Sequence, residues 1–155
     1  MSVFPLRRRI GIIASAGGHL SEALKATSSL RAYPRFYVTF HVPHLPPALG
    51  AERTYFVEFP RIDPWRYLVN AAQSLAIYLR ERPLVIITTG GGTAVPFCLI
   101  GRLFGSKIVF VESGSRVVRP SRASRLLYPI SHLTLVQWPA LLSRFPRAVY
   151  GGPLL

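Results

Sequence analysis

The sequence predicts an α/β domain built on a single, doubly wound, Rossmann-like parallel sheet. Short apolar runs rich in β-branched residues alternate with segments of helical periodicity along the 155 residues. Most of these runs are continuously apolar, which is typical of strands in a parallel sheet that helices cover on both faces. The length is enough for one domain with a sizeable core, so we expect residues 1–155 to form a single domain.

Six strands are predicted in order along the chain. They are residues 10–14, 36–40, 54–57, 84–88, 107–111 and 133–137, and a further strand-like segment precedes Gly151. A helical pattern follows the first strand over residues 20–31.

Residues 65–82 have the i, i+3, i+4, i+7 apolar spacing of an amphipathic helix. The apolar positions are Trp65, Leu68, Val69, Ala72, Leu75, Ala76 and Leu79. We expect this stripe to pack on the sheet, with a membrane-surface helix as the alternative. Residues 95–104 are apolar nearly all round, which indicates a helix that is deeply buried or docked against lipid or a partner chain.

The charge of the chain is strongly one-sided. Lys and Arg number 19 against 6 Asp and Glu, which gives a net charge of +13 at pH 7. All but two of these cations are arginine, which favours bidentate recognition of phosphate. The charge predicts anionic partners: phosphorylated substrates, a negatively charged membrane surface or nucleic acid. Arg7–Arg9 precede the first strand, away from the ligand-binding loops, and are candidates for attraction to a membrane.

The sequence also bears on the cellular compartment. The single cysteine, Cys98, cannot form an internal disulfide, which fits a reducing cytoplasm. The first residues lack the order of a secretory signal, and no apolar run approaches the roughly 20 residues needed to span a bilayer. We therefore expect a soluble or surface-bound protein with no membrane span of its own.

Ligands of an open parallel sheet bind beyond the carboxyl ends of its strands, so the loops that follow the strands carry the candidate site. The first is Ser15-Ala16-Gly17-Gly18-His19. Paired glycines before a helix let backbone N–H groups approach a phosphate closely. His19 could act as a base or donate to an anion, and a tight turn with a packed histidine is the alternative.

The second loop contains Gly90, Gly91 and Gly92, followed by Thr93. Three consecutive glycines cost conformational entropy, so a backbone nest for pyrophosphate or a sugar explains them better than stability does. Neither glycine loop matches G-x-G-x-x-G, which disfavours a dinucleotide oxidoreductase. No metal site is predicted, since His41 and His44 lie in a Pro-rich connection without Cys or acidic partners.

The third loop runs from Glu112 through Ser113 to Arg116. Glu112 could orient a sugar hydroxyl or act as a base, and an ion pair with Arg116 is the alternative. Three further arginines follow this loop at three-residue spacing: Arg119, Arg122 and Arg125. This spacing predicts that they lie along one side of a short helix. We expect them to bind a diphosphate or an anionic lipid headgroup, and the alternative is that they form a solvated basic face.

Five segments in order resemble the PssD/CpsF family of bacterial polysaccharide-biosynthesis proteins. They are residues 14–20, 88–93, 111–113, 136–138 and 150–154. That family is similar to the membrane-recruiting subunit of the eukaryotic transferase that adds the second N-acetylglucosamine to dolichol diphosphate. The resemblance covers nearly the whole chain.

The resemblance implies the N-terminal, acceptor-side half of a split GT-B glycosyltransferase, whose UDP-sugar-binding half is a separately encoded partner. Such an enzyme transfers a sugar from a UDP-sugar to an undecaprenyl-diphosphate-linked saccharide in exopolysaccharide or capsule biosynthesis, without a metal or other cofactor. It works at the cytoplasmic face of the cell membrane. The eukaryotic subunit has an N-terminal span that this sequence lacks, so we expect peripheral association, or association through lipid substrate or partner.

On this interpretation His19 and Glu112 are the candidate catalytic residues. A similar Gly-Gly-His loop in the lipid II-forming N-acetylglucosaminyltransferase places the acceptor's diphosphate near the first loop. The candidate substrate-binding residues are Ser15, Gly17, Gly18, Gly90, Gly91, Gly92, Thr93, Ser113 and Arg116. Two other functions are alternatives: a basic nucleic-acid-binding module, which net charge alone supports, and a non-catalytic scaffold that recruits the donor-binding partner.

Overall fold

The computed structural model describes residues 9–49 and 52–154. Within them, seven parallel strands form one sheet in the order β3-β2-β1-β4-β5-β6-β7. The strands are β1 (Ile10–Ala14), β2 (Arg35–Thr39), β3 (Thr54–Phe56), β4 (Val85–Gly90), β5 (Lys107–Val111), β6 (Leu133–Val136) and β7 (Val149–Tyr150). The predicted parallel sheet is confirmed, and each predicted strand is present close to its expected bounds.

Helices cover both faces of the sheet in the described part of the chain. They are α1 (Gly18–Ala26), α2 (Pro64–Glu81), α3 (Ala94–Leu103) and α4 (Ser124–Ile130), with 3₁₀ turns at Ser28–Leu30, Pro47–Leu49 and Pro139–Ser143. α1 packs against Ile12 and Ala14 of β1. The other three helices pack in a separate core cluster that contains Ile13 and Phe110, whose side chains lie on the opposite face.

The strand order reverses where β1 lies beside β4, because β1 pairs with both β2 and β4. A crevice opens at the carboxyl ends of the strands on either side of such a reversal. The two glycine loops meet there, since Ser15 N–H donates to Gly90 O at 3.3 Å. The fold therefore brings together segments that lie far apart in the sequence.

α2 forms where it is predicted, but the prediction that its apolar stripe packs on the sheet is wrong. The buried residues of α2 are Asn70, Ser74, Ile77, Tyr78 and Glu81. The apolar stripe faces outward instead, with Trp65 70%, Leu68 62% and Leu79 47% exposed. A helical period identifies two faces of different polarity, but it does not say which of them meets the sheet.

The polar face of α2 can be buried because its side chains find partners. Ser74 Oγ donates to Asn70 Oδ1 at 3.0 Å, and Asn70 Nδ2 donates to Glu58 O at 2.7 Å. Buried polar groups with hydrogen-bond partners avoid most of the cost of desolvation.

α3 is largely buried, in agreement with the first of the two alternatives predicted for residues 95–104. Its buried residues are Ala94, Val95, Pro96, Phe97, Cys98 and Gly101. Gly101 lies so close to β4 that a Cβ there would be 2.1 Å from Ile86 Cδ1. Leu103, at the end of the helix, is 85% exposed.

Glu81, the last residue of α2, ties together the amino ends of the strands. Its fully buried carboxylate accepts hydrogen bonds from Tyr55 Oη, from Arg53 Nη1 at 2.8 Å and from Arg9 Nη1. Burial by itself raises the pKa of this carboxyl, but the three hydrogen bonds outweigh burial and hold the pKa below its ordinary value. Arg9 precedes β1, and Tyr55 belongs to β3, so one carboxylate joins three elements.

The basic segment predicted to attract a membrane is only partly described. Arg7 and Arg8 lie outside the described residues. Arg9 pairs with Glu81, and its side chain is 27% exposed. Its charge is therefore largely neutralised within the fold.

We expect Glu81→Gln to lower the free energy of unfolding by about 2 kcal/mol at neutral pH, since Arg9 and Arg53 lose their shared counter-charge. Because the pKa of Glu81 is lower in the folded state, its contribution exists above the unfolded pKa and is lost as the pH falls through the folded pKa. Urea denaturation at about pH 7 and about pH 3 should show a smaller difference between variant and wild type at the lower pH. Glu58→Gln, which removes an exposed pair with Arg66, should cost less than about 0.5 kcal/mol. A pH-independent difference for Glu81→Gln would contradict this account.

Candidate functional site

An open cleft of about 550 Å³ lies at the carboxyl edge of the sheet. The residues that line it are His19, Gly91, Gly92, Arg116, Arg119, Pro120, Ser121, Arg122 and Ala123. They belong to the segments that follow β1, β4 and β5, three strands that are consecutive in the sheet. The cleft therefore lies where an open parallel sheet binds its ligands.

The start of α1 is an uncapped helix terminus. Gly17 precedes the helix with a φ of 93°, a conformation that favours glycine, and no side chain caps the helix. The N–H groups of residues 18–20 have no acceptor in the described parts of the chain. Because Gly17 and Gly18 are exposed, this electropositive terminus is open to an anion from solvent.

Thr89 of β4 holds His19 through two hydrogen bonds. His19 Nδ1 lies 2.9 Å from Thr89 O, and Thr89 Oγ1 donates to His19 O at 2.5 Å. A carbonyl oxygen only accepts, so Nδ1 carries the proton and, in the neutral imidazole, Nε2 keeps a free lone pair. The half-buried ring lines the cleft, so the arrangement provides a positioned proton acceptor there.

The second glycine loop lies against the first. Gly90 and Gly91 have φ values of 94° and 87°. A Cβ at Gly91 would lie 2.1 Å from Ser15 Oγ, and Ser15 Oγ in turn accepts from Thr93 N–H at 3.4 Å. Glycine at position 91 is therefore required by this close approach as well as by its backbone conformation.

The structure divides the predicted substrate-binding residues of these two loops into two groups. Gly91 and Gly92 line the cleft, and Gly17 and Gly18 are exposed at the start of α1. The buried group consists of Ser15, Gly90 and Thr93. The Ser15 hydroxyl joins the two loops by accepting from Thr93 N–H, whereas the buried Thr93 hydroxyl has no hydrogen-bond partner in the described chain.

Glu112, the second predicted catalytic residue, does not line the cleft. Its carboxylate is fully buried. Oε1 accepts from Ser113 N–H at 3.0 Å, and Oε2 accepts from Ser121 N–H at 3.0 Å and Ser121 Oγ at 3.2 Å. The carboxylate therefore fastens the third loop to β5, and it forms no ion pair with the exposed Arg116.

Glu22 of α1 is a structurally important residue that the sequence analysis missed. It is 7% exposed, and its Oε1 accepts from Ser113 Oγ at 3.2 Å and Gly114 N–H at 3.0 Å. Gln137 Nε2 lies 3.5 Å from Glu22 Oε2 and donates to Glu112 O at 3.0 Å. Ser113, predicted to bind substrate, is thus turned inward. The sequence around Glu22 does not indicate these hydrogen bonds, because the partner residues lie 91 and 115 positions further along the chain.

Three exposed arginines line the cleft: Arg116, Arg119 and Arg122. They form no ion pair with any carboxylate of the described residues. The predicted row along one helix is not formed, because α4 begins only at Ser124, whose N–H donates to Ser121 Oγ at 3.2 Å. Arg125 lies on α4 and lines a neighbouring depression.

Comparison with known families and sequences gives a consistent result. The family described as "Oligosaccharide biosynthesis protein Alg14 like" matches residues 62–154. The UDP-N-acetylglucosamine transferase subunit ALG14 of Rattus norvegicus is 31% identical over 176 residues, covering 93% of this chain and 82% of the relative. The Homo sapiens protein of the same name is 29% identical over 176 residues, with the same coverage of 93% and 82%.

Comparison with solved structures concerns the fold alone, because identities are low. The crystal structure of Acinetobacter baumannii MurG has a TM-score of 0.68 at 15% identity, over 86% of this chain and 42% of that chain. UDP-N-acetylglucosamine 2-epimerase from Rickettsia bellii has a TM-score of 0.75 at 9% identity. The match covers 96% of this chain and 45% of the epimerase. The chain thus has the fold of one half of a GT-B protein and spans less than half of each of these structures.

We expect Gly91→Ala to lower the free energy of unfolding by about 3 kcal/mol, because the added methyl group must displace Ser15 and also adopt a positive φ. Gly105→Ala is the matched control, since Gly105 has a φ of 91° and nothing lies within 4 Å of its Cβ position. The control should lose about 1 kcal/mol from backbone strain alone. Urea denaturation measures both, and equal losses would show that the contact with Ser15 does not matter.

We expect Glu112→Gln to loosen the third loop, because the amide NH₂ would face a backbone N–H that now donates to a carboxylate. Trypsin should then cleave after Arg116 or Arg122 about tenfold faster than in wild type, whereas Pro120 protects the bond after Arg119. Mass spectrometry of the fragments measures the rate at each site. Glu52→Gln, which changes an acid paired with Arg35 far from this loop, is the control. An unchanged rate in Glu112→Gln would rule out the fastening role.

Proposed function

The chain belongs to the family of Alg14-like oligosaccharide biosynthesis proteins, and from that premise we propose that it is the acceptor-side subunit of a two-component glycosyltransferase. Relatives are named as subunits of a UDP-N-acetylglucosamine transferase, which supports sugar transfer by an enzyme of more than one chain. In this proposal residues 1–155 form the N-terminal domain of a GT-B enzyme. A separate chain supplies the other domain and binds the UDP-sugar.

The proposed acceptor is a saccharide carried on a polyprenyl diphosphate of the undecaprenyl type, used in exopolysaccharide or capsule biosynthesis. The cleft supplies what a diphosphate requires. Its arginines have no carboxylate partners in the described chain, the start of α1 is uncapped, and the glycine loop exposes backbone at Gly91 and Gly92. Arginine forks and helix N-termini both favour phosphate oxygens. This concentration of unpaired positive groups beside His19 is the observation that carries the proposal.

His19 is the proposed general base. The acceptor hydroxyl oxygen attacks the anomeric carbon of the donor sugar and gives its proton to His19 Nε2. The bond from that carbon to the diphosphate oxygen of UDP breaks, and UDP leaves with the electron pair. The hydrogen bond from Nδ1 to Thr89 O fixes the tautomer and stabilises the imidazolium that forms.

We place this subunit at the cytoplasmic face of the cell membrane, in peripheral association. None of the helices in residues 9–49 and 52–154 is long and apolar enough to cross a bilayer. A lipid-borne acceptor requires the cleft to reach the membrane surface. The net charge that favoured a nucleic-acid-binding module is explained as well by a diphosphate and by anionic lipid.

We expect His19→Ala, assayed with the donor-binding partner, to lower kcat by about 10² to 10⁴, the usual contribution of a general base. The KM for the acceptor should change little. His44→Ala is the control, because His44 is exposed and does not line the cleft. Turnover unaffected by His19→Ala, in a complex that still assembles, would show that His19 is not the base. Unaffected turnover in a Glu112 variant as well would favour a non-catalytic scaffold.

A further inference from the structure

All six acidic side chains of the protein are buried or paired with arginine. The buried ones are Glu22, Glu81 and Glu112. The others are Glu52, 2.5 Å from Arg35; Glu58, 3.0 Å from Arg66; and Asp63, 3.6 Å from Arg66. No acidic side chain is therefore left to offset the exposed arginines, and the protein presents a positive field to solvent.

The outward face of α2 is a continuous apolar surface, which we call the outer stripe. It consists of Trp65, Leu68, Ala72, Leu75, Ala76 and Leu79, all exposed. The stripe runs from residue 65 to residue 79 of the helix, which is about 21 Å at 1.5 Å per residue. Ile62, 89% exposed, precedes it. Isolated exposed apolar residues are common on protein surfaces. A contiguous set of this length is instead typical of a surface that binds a membrane or another molecule.

Positively charged side chains border the outer stripe and favour one kind of binding partner. Arg61, Arg80 and Arg82 are exposed and form no ion pair with any acidic side chain of the described chain. Trp and Leu on one face with Arg at its border are typical of a helix that lies in a membrane interface. A second copy of this chain would bring the same unneutralised charges together, which disfavours self-association. Anionic lipid headgroups instead complement them.

The first turn of α2, where the outer stripe begins, lies near the cleft. A Cβ at Gly92, which lines the cleft, would lie 3.2 Å from Tyr67 Oη and 3.8 Å from Pro60 Cγ, so the first turn of α2 lies against the glycine loop. A second exposed apolar segment is adjacent in sequence to residues of the same cleft. Val117 and Val118, 46% and 59% exposed, come between Arg116 and Arg119, which line the cleft.

We propose that the outer stripe of α2 lies in the interface of an anionic bilayer, with its bordering arginines on lipid headgroups, and that Val117 and Val118 contact the same bilayer. This arrangement holds the cleft at the depth of the headgroups. The diphosphate of a lipid-linked acceptor lies at that depth. The presentation of a lipid-linked acceptor by the bilayer rests on the proposed function. The docking of α2 on the bilayer is independent of that function.

Vesicle flotation of the full chain tests the docking directly. With vesicles of about 30% phosphatidylglycerol in phosphatidylcholine, wild type should bind, and binding to pure phosphatidylcholine should be at least about tenfold weaker. The double variant Trp65→Ser/Leu68→Ser should bind the anionic vesicles about tenfold or more weakly than wild type. Tyr33→Ser is the matched control: Tyr33 is 57% exposed outside α2, and its variant should bind within twofold of wild type. The thermal midpoint of each variant verifies that it is folded.

Two outcomes would overturn the proposal. One is equal binding of the double variant and wild type to anionic vesicles. The other is a lipid-free dimer of wild type, seen by light scattering, that the double variant abolishes, because a second copy would then cover the stripe. A blue shift of tryptophan emission on vesicles that Trp65→Phe removes would support the proposal, since the other tryptophan, Trp138, donates its Nε1–H to Gly114 O.

The same assay separates failure of this inference from failure of the proposed function. His19→Ala should bind vesicles as wild type does while losing turnover. The double variant should keep turnover on a short-chain, water-soluble acceptor and lose it about tenfold on an acceptor embedded in vesicles. Unchanged turnover on the embedded acceptor would contradict the docking, whatever the result for His19.

Discussion

The close approach of Gly91 to Ser15 is the constraint on which the candidate site depends. It brings the loops after β1 and β4 closer together than a side chain at position 91 would allow. With the loops at this separation, His19 at the start of α1 reaches Thr89 at the end of β4. The position of His19 against Thr89 and the packing of the two glycine loops therefore depend on this close approach, at the point where the strand order reverses.

Buried carboxylates organise the rest of the molecule. Glu112 and Glu22 fasten the third loop to β5 and to α1, and Glu81 joins the amino ends of the strands. These three acids serve inside the fold. In the described chain, the arginines of the cleft and those that border the outer stripe therefore form no ion pair. The inward placement of these few acids thus stabilises the fold and at the same time leaves an excess of positive charge on the surface.

The orientation of α2 shows where reasoning from periodicity reaches its limit. A hydrophobic stripe predicts a helix, and burial is the usual fate of such a stripe. In this protein Asn70 and Ser74 face inward, because hydrogen bonds within α2 and to Glu58 O satisfy them. The apolar face of α2 is therefore exposed to solvent, and the arginines that border it favour anionic lipid. The resemblance of the sequence to the membrane-recruiting subunit of the N-acetylglucosamine transferase, which the Alg14-like family match confirms, did not reveal this reversal.

The sequence by itself determined the parallel α/β sheet, the order of its strands along the chain, the glycine loops and the family, because all of these are encoded in local patterns of apolar residues, glycine and short motifs. Only the tertiary structure decided which side chains face the cleft. It turned Glu112 and Ser113 inward, revealed Glu22, and left Arg116, Arg119 and Arg122 facing the cleft. The reason is physical: burial and hydrogen-bond partners depend on residues as many as 115 positions apart, and no local pattern records such contacts.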